Sequence, residues 1–152
     1  GRIMQVDEPV SIYNKPNCLF VAGFIGSPAM NFLHGTVERD AGRLVFAEKN
    51  AGLRLPLPNA LSARAADRTG RPVVLGLRSE NIRQTSENAD AHLPVEIVEP
   101  MGSETFVTLN TGAHPLVARM PPSLRFAVGD RVGVSFALEN ALLFDPATEQ
   151  AL

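Results

Sequence analysis

At 152 residues the chain is long enough for one domain or two closely packed halves, and its 14 basic and 16 acidic residues nearly balance. With no Trp and one Tyr, it lacks the basic surface and stacking aromatic residues of a nucleic-acid-binding module. The longest apolar run, residues 18–25, is far shorter than the roughly 20 residues of a transmembrane helix. The single cysteine, Cys18, cannot form an internal disulfide, and we expect it to be buried.

The chain opens with two predicted short helices. Asp7 is expected to cap the first helix, which has Pro9 in its first turn. Asn17 is expected to cap the second, and Gly26 supplies the left-handed residue that ends it. An apolar face at helical spacing is predicted to pack against the rest of the protein, and it consists of Leu19, Phe20, Gly23 and Phe24.

The remainder of the chain is rich in strand signals separated by turn residues. One or two helical turns are predicted within residues 59–67, which are rich in alanine. Several short strands at regular spacing favour small barrels, of which the five-stranded OB type suits the length. The predicted strands are Phe32–Glu38, Arg43–Ala47, Leu53–Leu57, Val73–Arg78, Leu93–Val98, Thr105–Leu109, Leu116–Met120, Arg131–Ala137 and Leu142–Phe144.

An internal repeat relates the two halves of this β-rich region. Residues 70–81 align with residues 129–140, sharing glycine, valine, the apolar alternation and a Glu-Asn pair. Units of about 60 residues bury a core poorly alone, so the two are expected to pack together or exchange strands. The alternation predicts two equivalent rows of inward-facing residues, which are Val73, Leu75 and Leu77 and then Val132, Val134 and Phe136.

No motif for catalysis, nucleotide binding or metal binding is evident. The chain has neither a glycine-rich loop leading into Lys-Ser or Lys-Thr nor a G-x-S-x-G elbow. His34, His92 and His114 lack the spacing of a helical metal pair. We therefore expect the chain itself to be no enzyme and to hold no cofactor or metal.

Several motifs resemble the C-terminal part of the ATP-binding subunits of maltose-type and glycerol-phosphate-type sugar ABC importers. The most specific is the run Phe-Val-Ala-x-Phe-Ile-Gly-Ser-Pro-x-Met-Asn-Phe over residues 20–32. Shorter matches are Gly-Arg-Ile-x-Gln-Val over 1–6, Pro-x-x-Ile-Tyr over 9–13, Leu-Gly-Leu-Arg-x-Glu over 75–80 and Val-Glu-x-Met-Gly-x-Glu-Thr over 98–105.

The resemblance implies a mainly β fold, with two tandem, interwoven OB-like β-barrels preceded by two short α-helices. Residues 1–28 would be the tail of the ATPase domain with its linker helices, and residues 29–152 a transport-associated OB (TOBE) regulatory domain, with repeats at about 29–90 and 91–152. The domain would regulate and dimerise the ATP-binding subunit of an importer for sugars, polyols or glycerol phosphate.

The resemblance also implies partners and a location for the complete subunit. It would use ATP and Mg²⁺, form a homodimer and lie on the inner face of the membrane with transmembrane permease subunits and a solute-binding protein. Candidate regulatory or interface residues are Arg78, Glu80, Glu99, Gly102 and Glu104. The family usually has Arg-Pro-Glu where this chain has Ser79 between Arg78 and Glu80, so the local turn is expected to differ.

Two other readings stay open from the sequence. Related transport-associated domains bind molybdate, and residues 62–64, Ser-Ala-Arg, match a short piece of that motif, which suggests a small-oxyanion binder. An OB-type nucleic-acid-binding module is disfavoured by charge and aromatic content.

Overall fold

The computed structural model describes all residues, 1–152, and shows a mainly β chain with three short helices. No helix has the length and apolar character that crossing a membrane requires. The helices are α1 (Pro9–Asn14), α2 (Leu19–Phe24) and α3 (Asn59–Arg64), and 3₁₀ turns lie at Ser79–Asn81 and Leu138–Asn140. The strands are β1 (Asn31–Asp40), β2 (Arg43–Glu48), β3 (Arg54–Pro56), β4 (Pro72–Leu77), β5 (Ile82–Gln84), β6 (Ala91–Pro100), β7 (Thr105–Asn110), β8 (Pro115–Met120), β9 (Arg131–Phe136) and β10 (Leu142–Phe144).

The strands form two five-stranded antiparallel sheets that exchange one strand each. Their orders are β10-β4-β1-β2-β3 and β5-β9-β6-β7-β8. Since β6 to β10 are the counterparts of β1 to β5, the two orders are the same except that the last strand of each half lies in the sheet of the other half. The interwoven arrangement that the family resemblance implied is therefore confirmed, and of the two arrangements left open by the repeat, packing or strand exchange, the structure shows exchange. In the second sheet β5 also lies beside β8, which nearly closes a barrel.

The repeat is also visible where the two 3₁₀ turns meet. Each turn follows an equivalent strand, β4 or β9, as the alignment of the two halves predicted. The Asn140 side-chain amide donates a hydrogen bond of 3.2 Å to the Asn81 side-chain oxygen. Because these two asparagines are counterparts in the repeat, the approximate symmetry axis between the halves passes close to them.

One apolar core runs through both sheets. It contains 25 buried residues, contributed by both halves and by α3. The two rows predicted to face inward are all buried, from Leu75 and Val134 at 0% exposure to Val132 at 8%. The alternation is that of a half-buried strand, with one exposed face, but Val74 on the other face of β4 is also fully buried because Ala22, Met30 and Phe144 cover it.

The N-terminal helices differ from the sequence prediction in their caps and in their buried face. The N-cap residues are Glu8 and Cys18 in place of Asp7 and Asn17, and neither makes a side-chain capping bond. Helix α1 buries no residue, and α2 buries Val21 and Ala22 while Phe20 and Phe24 remain 58% and 74% exposed. The small side chains face the barrels because they allow the helix to approach closely, which leaves the aromatic pair outside.

The remaining elements follow the prediction closely. Every predicted strand is present with ends shifted by at most two residues, and α3 lies within the predicted alanine-rich segment. Strand β5 was missed because it is only three residues long and exposes Arg83 and Gln84. Cys18 is buried at 3% exposure, as expected.

A polar bridge around the buried Glu48 joins the two halves away from the N-terminal helices. His114 Nδ1 lies 2.6 Å from Glu48 Oε1, and the Thr111 hydroxyl donates to the same oxygen. The His34 backbone N–H donates to His114 Nε2 at 3.1 Å, and the two imidazole rings stack at 5.9 Å. The fold thus brings into contact two histidines, His34 and His114, that no sequence pattern connects.

Candidate regulatory site between the N-terminal tail and the barrels

Arg78 connects the N-terminal tail, defined here as residues 1–28, to the β-barrels. It follows β4 and is only 4% exposed. Its guanidinium donates hydrogen bonds to the backbone oxygens of Tyr13 at 2.8 Å and Ile25 at 2.5 Å, with a longer contact of 3.4 Å to Ala22. The last carbonyls of a helix have no partner within it, so one side chain satisfies the ends of both α1 and α2.

The Tyr13 ring completes the enclosure of this guanidinium. The Arg78 Cζ atom lies 3.9 Å from the ring centroid, which is cation–π geometry. Burial lowers the pKa of Arg78, although the guanidinium stays charged across the biological range. Burial also raises the pKa of Tyr13, and the adjacent Glu80 carboxylate raises it further. The phenol therefore remains protonated and acts as a donor.

Glu80 extends the network to the second half of the chain. The Tyr13 hydroxyl donates to Glu80 Oε1 at 2.5 Å, and the Ser79 hydroxyl donates to the other carboxylate oxygen at 3.3 Å. Burial acts to raise the pKa of Glu80, but the hydrogen bond from Tyr13 and the positive charge of Arg119 help to hold it below its ordinary value. Glu80 is thus a carboxylate stabilised in its charged form.

Arg119, on β8, also reaches the hairpin between β6 and β7. Its Nε lies 3.0 Å from Glu104 Oε2, and both side chains are partly exposed. Arg78 and Glu80 therefore meet at Tyr13, while Glu104 pairs with Arg119, whose positive charge also acts on Glu80. Tyr13 and Arg119, the residues that connect them, were not among the predicted site residues.

The other two predicted residues, Glu99 and Gly102, lie outside this network. Glu99 is exposed on β6, and Gly102 forms the β6–β7 turn with φ +91°, a conformation that favours glycine. The same hairpin exposes two apolar side chains, Ile97 at 50% and Met101 at 59%. This hairpin is a surface feature and not part of the enclosed junction.

Ser79, the departure from the usual Arg-Pro-Glu pattern, leaves the junction intact. It is buried and opens a 3₁₀ turn that directs Arg78 toward the tail and Glu80 toward Tyr13. The serine hydroxyl adds a hydrogen bond to Glu80 that a proline cannot make.

Comparison with known protein families shows which domains contain this junction. Residues 26–82 match the profile of the MalK OB fold domain, and residues 75–144 match that of the TOBE domain. The chain carries a MalK-type OB fold domain and a TOBE domain. The resemblance found in the sequence and the mainly β, OB-like fold are therefore confirmed.

The curated relatives are ATP-binding proteins of ABC transporters. The chain is 38% identical to the sulfoquinovosyl glycerol transport ATP-binding protein SmoE of Agrobacterium fabrum, over all of this chain and 41% of SmoE. It is also 38% identical to the sn-glycerol-3-phosphate import ATP-binding protein UgpC of Burkholderia ambifaria, over 97% of this chain and 40% of UgpC. The chain thus spans about two fifths of the length of these relatives.

A solved structure shows the same fold in a different setting. The molybdate-bound crystal structure of the cytoplasmic molybdate-binding protein ModG superposes with a TM-score of 0.60 and 19% identity, covering 76% of this chain and 96% of that one. At this identity the likeness concerns the fold alone.

Proposed function

We propose that this chain is the C-terminal regulatory and dimerisation region of the ATP-binding subunit of an ABC importer for sugars, polyols or glycerol phosphate. The complete subunit would hydrolyse ATP with Mg²⁺ and lie on the inner face of the membrane, bound to permease subunits that receive solute from a binding protein. The names and lengths of the relatives support this proposal. The observation that carries the regulatory part is the Arg78 junction, because one buried side chain ties the ends of both helices to the barrels, beside the apolar packing of α2 on Val74.

The exposed face of the tail supports contact with an ATP-binding domain. Residues 1–25 precede the matched OB domain, and they expose Val10 at 70% in addition to the stacked pair of Phe20 and Phe24. Exposed aromatic residues grouped in this way are typical of an interface. We propose that the ATPase domain packs on this face, so that movement of that domain is transmitted through α1 and α2 to Arg78.

The β6–β7 hairpin is the surface that we propose for self-association. Ile97 and Met101 are exposed there beside Glu99, and a regulatory contact between two subunits needs only a modest area, below about 1,200 Å² in total. Sedimentation velocity at rising concentration tests this. We expect reversible dimers that Met101→Lys weakens, whereas Val128→Lys, an equally exposed apolar position on another loop, leaves them unchanged. A chain that stays monomeric at hundreds of micromolar would remove dimerisation from the proposal.

The regulatory role is tested in the complete importer. The subunit containing this region is reconstituted in liposomes with its permease and binding protein, and ATP hydrolysis is measured with and without transported solute. We expect Arg78→Met to change the stimulation of hydrolysis by solute while the Mg²⁺- and ATP-binding parts stay intact. If stimulation and basal hydrolysis are both unaffected, the junction does not couple the two domains.

A further inference from the structure

A cavity of about 700 Å³ lies beside the Arg78 junction, where the tail meets both halves of the β region. Its volume falls within the range of small-molecule sites, which is about 300 to 1,000 Å³. Its walls come from the end of α1, from α3 and from the two 3₁₀ turns that meet at the approximate symmetry axis. The cavity is therefore bounded by four segments that are distant in sequence.

Two cationic side chains on its wall have no Asp or Glu partner, and both are exposed. Lys15 makes no side-chain hydrogen bond or ion pair, and Arg64 makes only a 3.3 Å bond to an oxygen of Leu152, the last residue of the chain. Arg64 belongs to the Ser-Ala-Arg run noted in the sequence, whose Ser62 and Ala63 line a different cavity. A guanidinium and an ammonium that line the same cavity suit a phosphate-like oxyanion, which the guanidinium can bind through two parallel hydrogen bonds.

The same cavity is also lined by acidic and amide side chains. Glu139 has no ion pair, and the side-chain oxygen of Asn140, the next residue, is uncommitted, while Arg78 and Glu80 of the junction border the cavity as well. A bare anion is repelled by the Glu139 carboxylate, whereas a hydroxyl group donates a hydrogen bond to it and exchanges bonds with the amide. Together these side chains suit a ligand that carries both an oxyanion and hydroxyl groups.

We propose that this cavity binds a small phosphorylated polyol, with the phosphate at Lys15 and Arg64 and the hydroxyl groups at Glu139 and Asn140. The proposal deepens and rests on the proposed function, since such a ligand belongs to the class of solutes suggested for the importer. Because the tail forms one wall, a bound ligand holds the tail against the barrels. Occupancy of the cavity would report the internal level of solute to the ATPase domain.

Isothermal titration of the 152-residue chain at low salt is the test, with sn-glycerol 3-phosphate as the probe. Parallel titrations with inorganic phosphate, molybdate and glycerol separate the oxyanion from the polyol. We expect saturable binding of glycerol 3-phosphate, weakened about tenfold by Lys15→Gln or Arg64→Gln, which is the effect of losing about 1.4 kcal/mol. Arg43→Gln, an exposed cation that lines another cavity, is the matched control and should leave the affinity unchanged.

The Glu139→Gln variant distinguishes the ligand classes. It should bind inorganic phosphate more tightly than the unmodified chain does, since a repulsive charge is removed, and should reduce the preference for glycerol 3-phosphate. Tighter binding of free phosphate or molybdate than of glycerol 3-phosphate by the unmodified chain would overturn the polyol part of the proposal. Absence of saturation at 10 mM, or binding insensitive to both cation variants, would overturn the site. Neither result affects the importer assay above, which does not depend on a ligand in this cavity.

Discussion

Replacing Arg78 by methionine should loosen α1 and the end of α2 while leaving the barrels folded, since backbone bonds to residues 149–151 and the buried face of α2 still hold the tail. Two hydrogen bonds from the guanidinium, to Ile25 O at 2.5 Å and Tyr13 O at 2.8 Å, are lost together with the stacking on Tyr13. Hydrogen bonds to charged groups contribute about 1.5 to 3 kcal/mol each, and a cation–π contact of a buried guanidinium about 2 kcal/mol. Relief from burying the guanidinium and burial of the methionine offset part of this, so the net loss is about 2 to 4 kcal/mol.

Native-state hydrogen exchange locates the loss. Helices of six residues are not stable alone in water, so α1 and α2 depend on docking for their protection. The amides that report docking are those of Ile12 and Ile25, which are bonded within the two helices. Their opening constants should rise about 30- to 700-fold in Arg78→Met, since each 1.4 kcal/mol is tenfold.

Two control variants test whether the predicted change in hydrogen exchange is specific to Arg78. Arg78→Lys keeps the charge but lacks the planar fork, so its effect should be intermediate. Arg83→Met changes an exposed arginine on β5 and should alter neither region. Unchanged tail protection in Arg78→Met, or a loss confined to core amides such as that of Leu75, would refute the assignment of Arg78 to tail docking.

Three further predictions concern the backbone, pH and nucleotide. Gly35→Ala places a Cβ 2.3 Å from the Ala47 backbone oxygen and should destabilise the chain by about 1 to 3 kcal/mol or more in urea unfolding, whereas Gly52→Ala, with nothing within 4 Å, should be neutral. The pKa of Glu80 is lowered in the folded chain, so the ionised carboxylate stabilises the fold fully above its ordinary pKa of 4.5, and this contribution is lost as pH falls through the pKa of the folded chain. Fluorescence of Tyr13, the single tyrosine in a chain without tryptophan, should show this transition. The Glu80→Gln variant should abolish it. Calorimetry should detect no micromolar ATP binding to this chain, and saturable binding in that range would contradict the absence of a phosphate loop.

The β architecture could be predicted because period-two alternation is strong in most strands. The repeat indicated that the halves pack together or exchange strands, since a single half is too small to complete a core, but it did not distinguish the two. Strand β5 could not be found because its three residues carry one buried apolar side chain, Ile82, and no alternation. The prediction of which face of α2 is buried was also wrong. The spacing of apolar residues shows that a helix has an apolar face, but it does not show which of two apolar faces meets the core.

The candidate site could be predicted only in part. Arg78 and Glu80 were identified through their motif, but their partners depend on tertiary packing. Tyr13 lies 65 residues from Arg78 in sequence, and Arg119 reaches the network from another strand. No local pattern encodes such pairings, and the stacking of His34 on His114 was missed for the same reason.

The strand exchange has a consequence for synthesis of the protein on the ribosome. Strand β4 ends at Leu77, but its neighbour β10 begins only at Leu142, so 142 − 77 = 65 residues must be added before that edge can be paired. At about 5 to 20 residues per second, this edge stays open for about 3 to 13 s. An unpaired edge rich in Val and Leu is prone to aggregation. The exchange of β10 into the sheet of the first half therefore leaves that half with an open edge during synthesis. We expect chaperones or rapid translation of the second half to protect this edge.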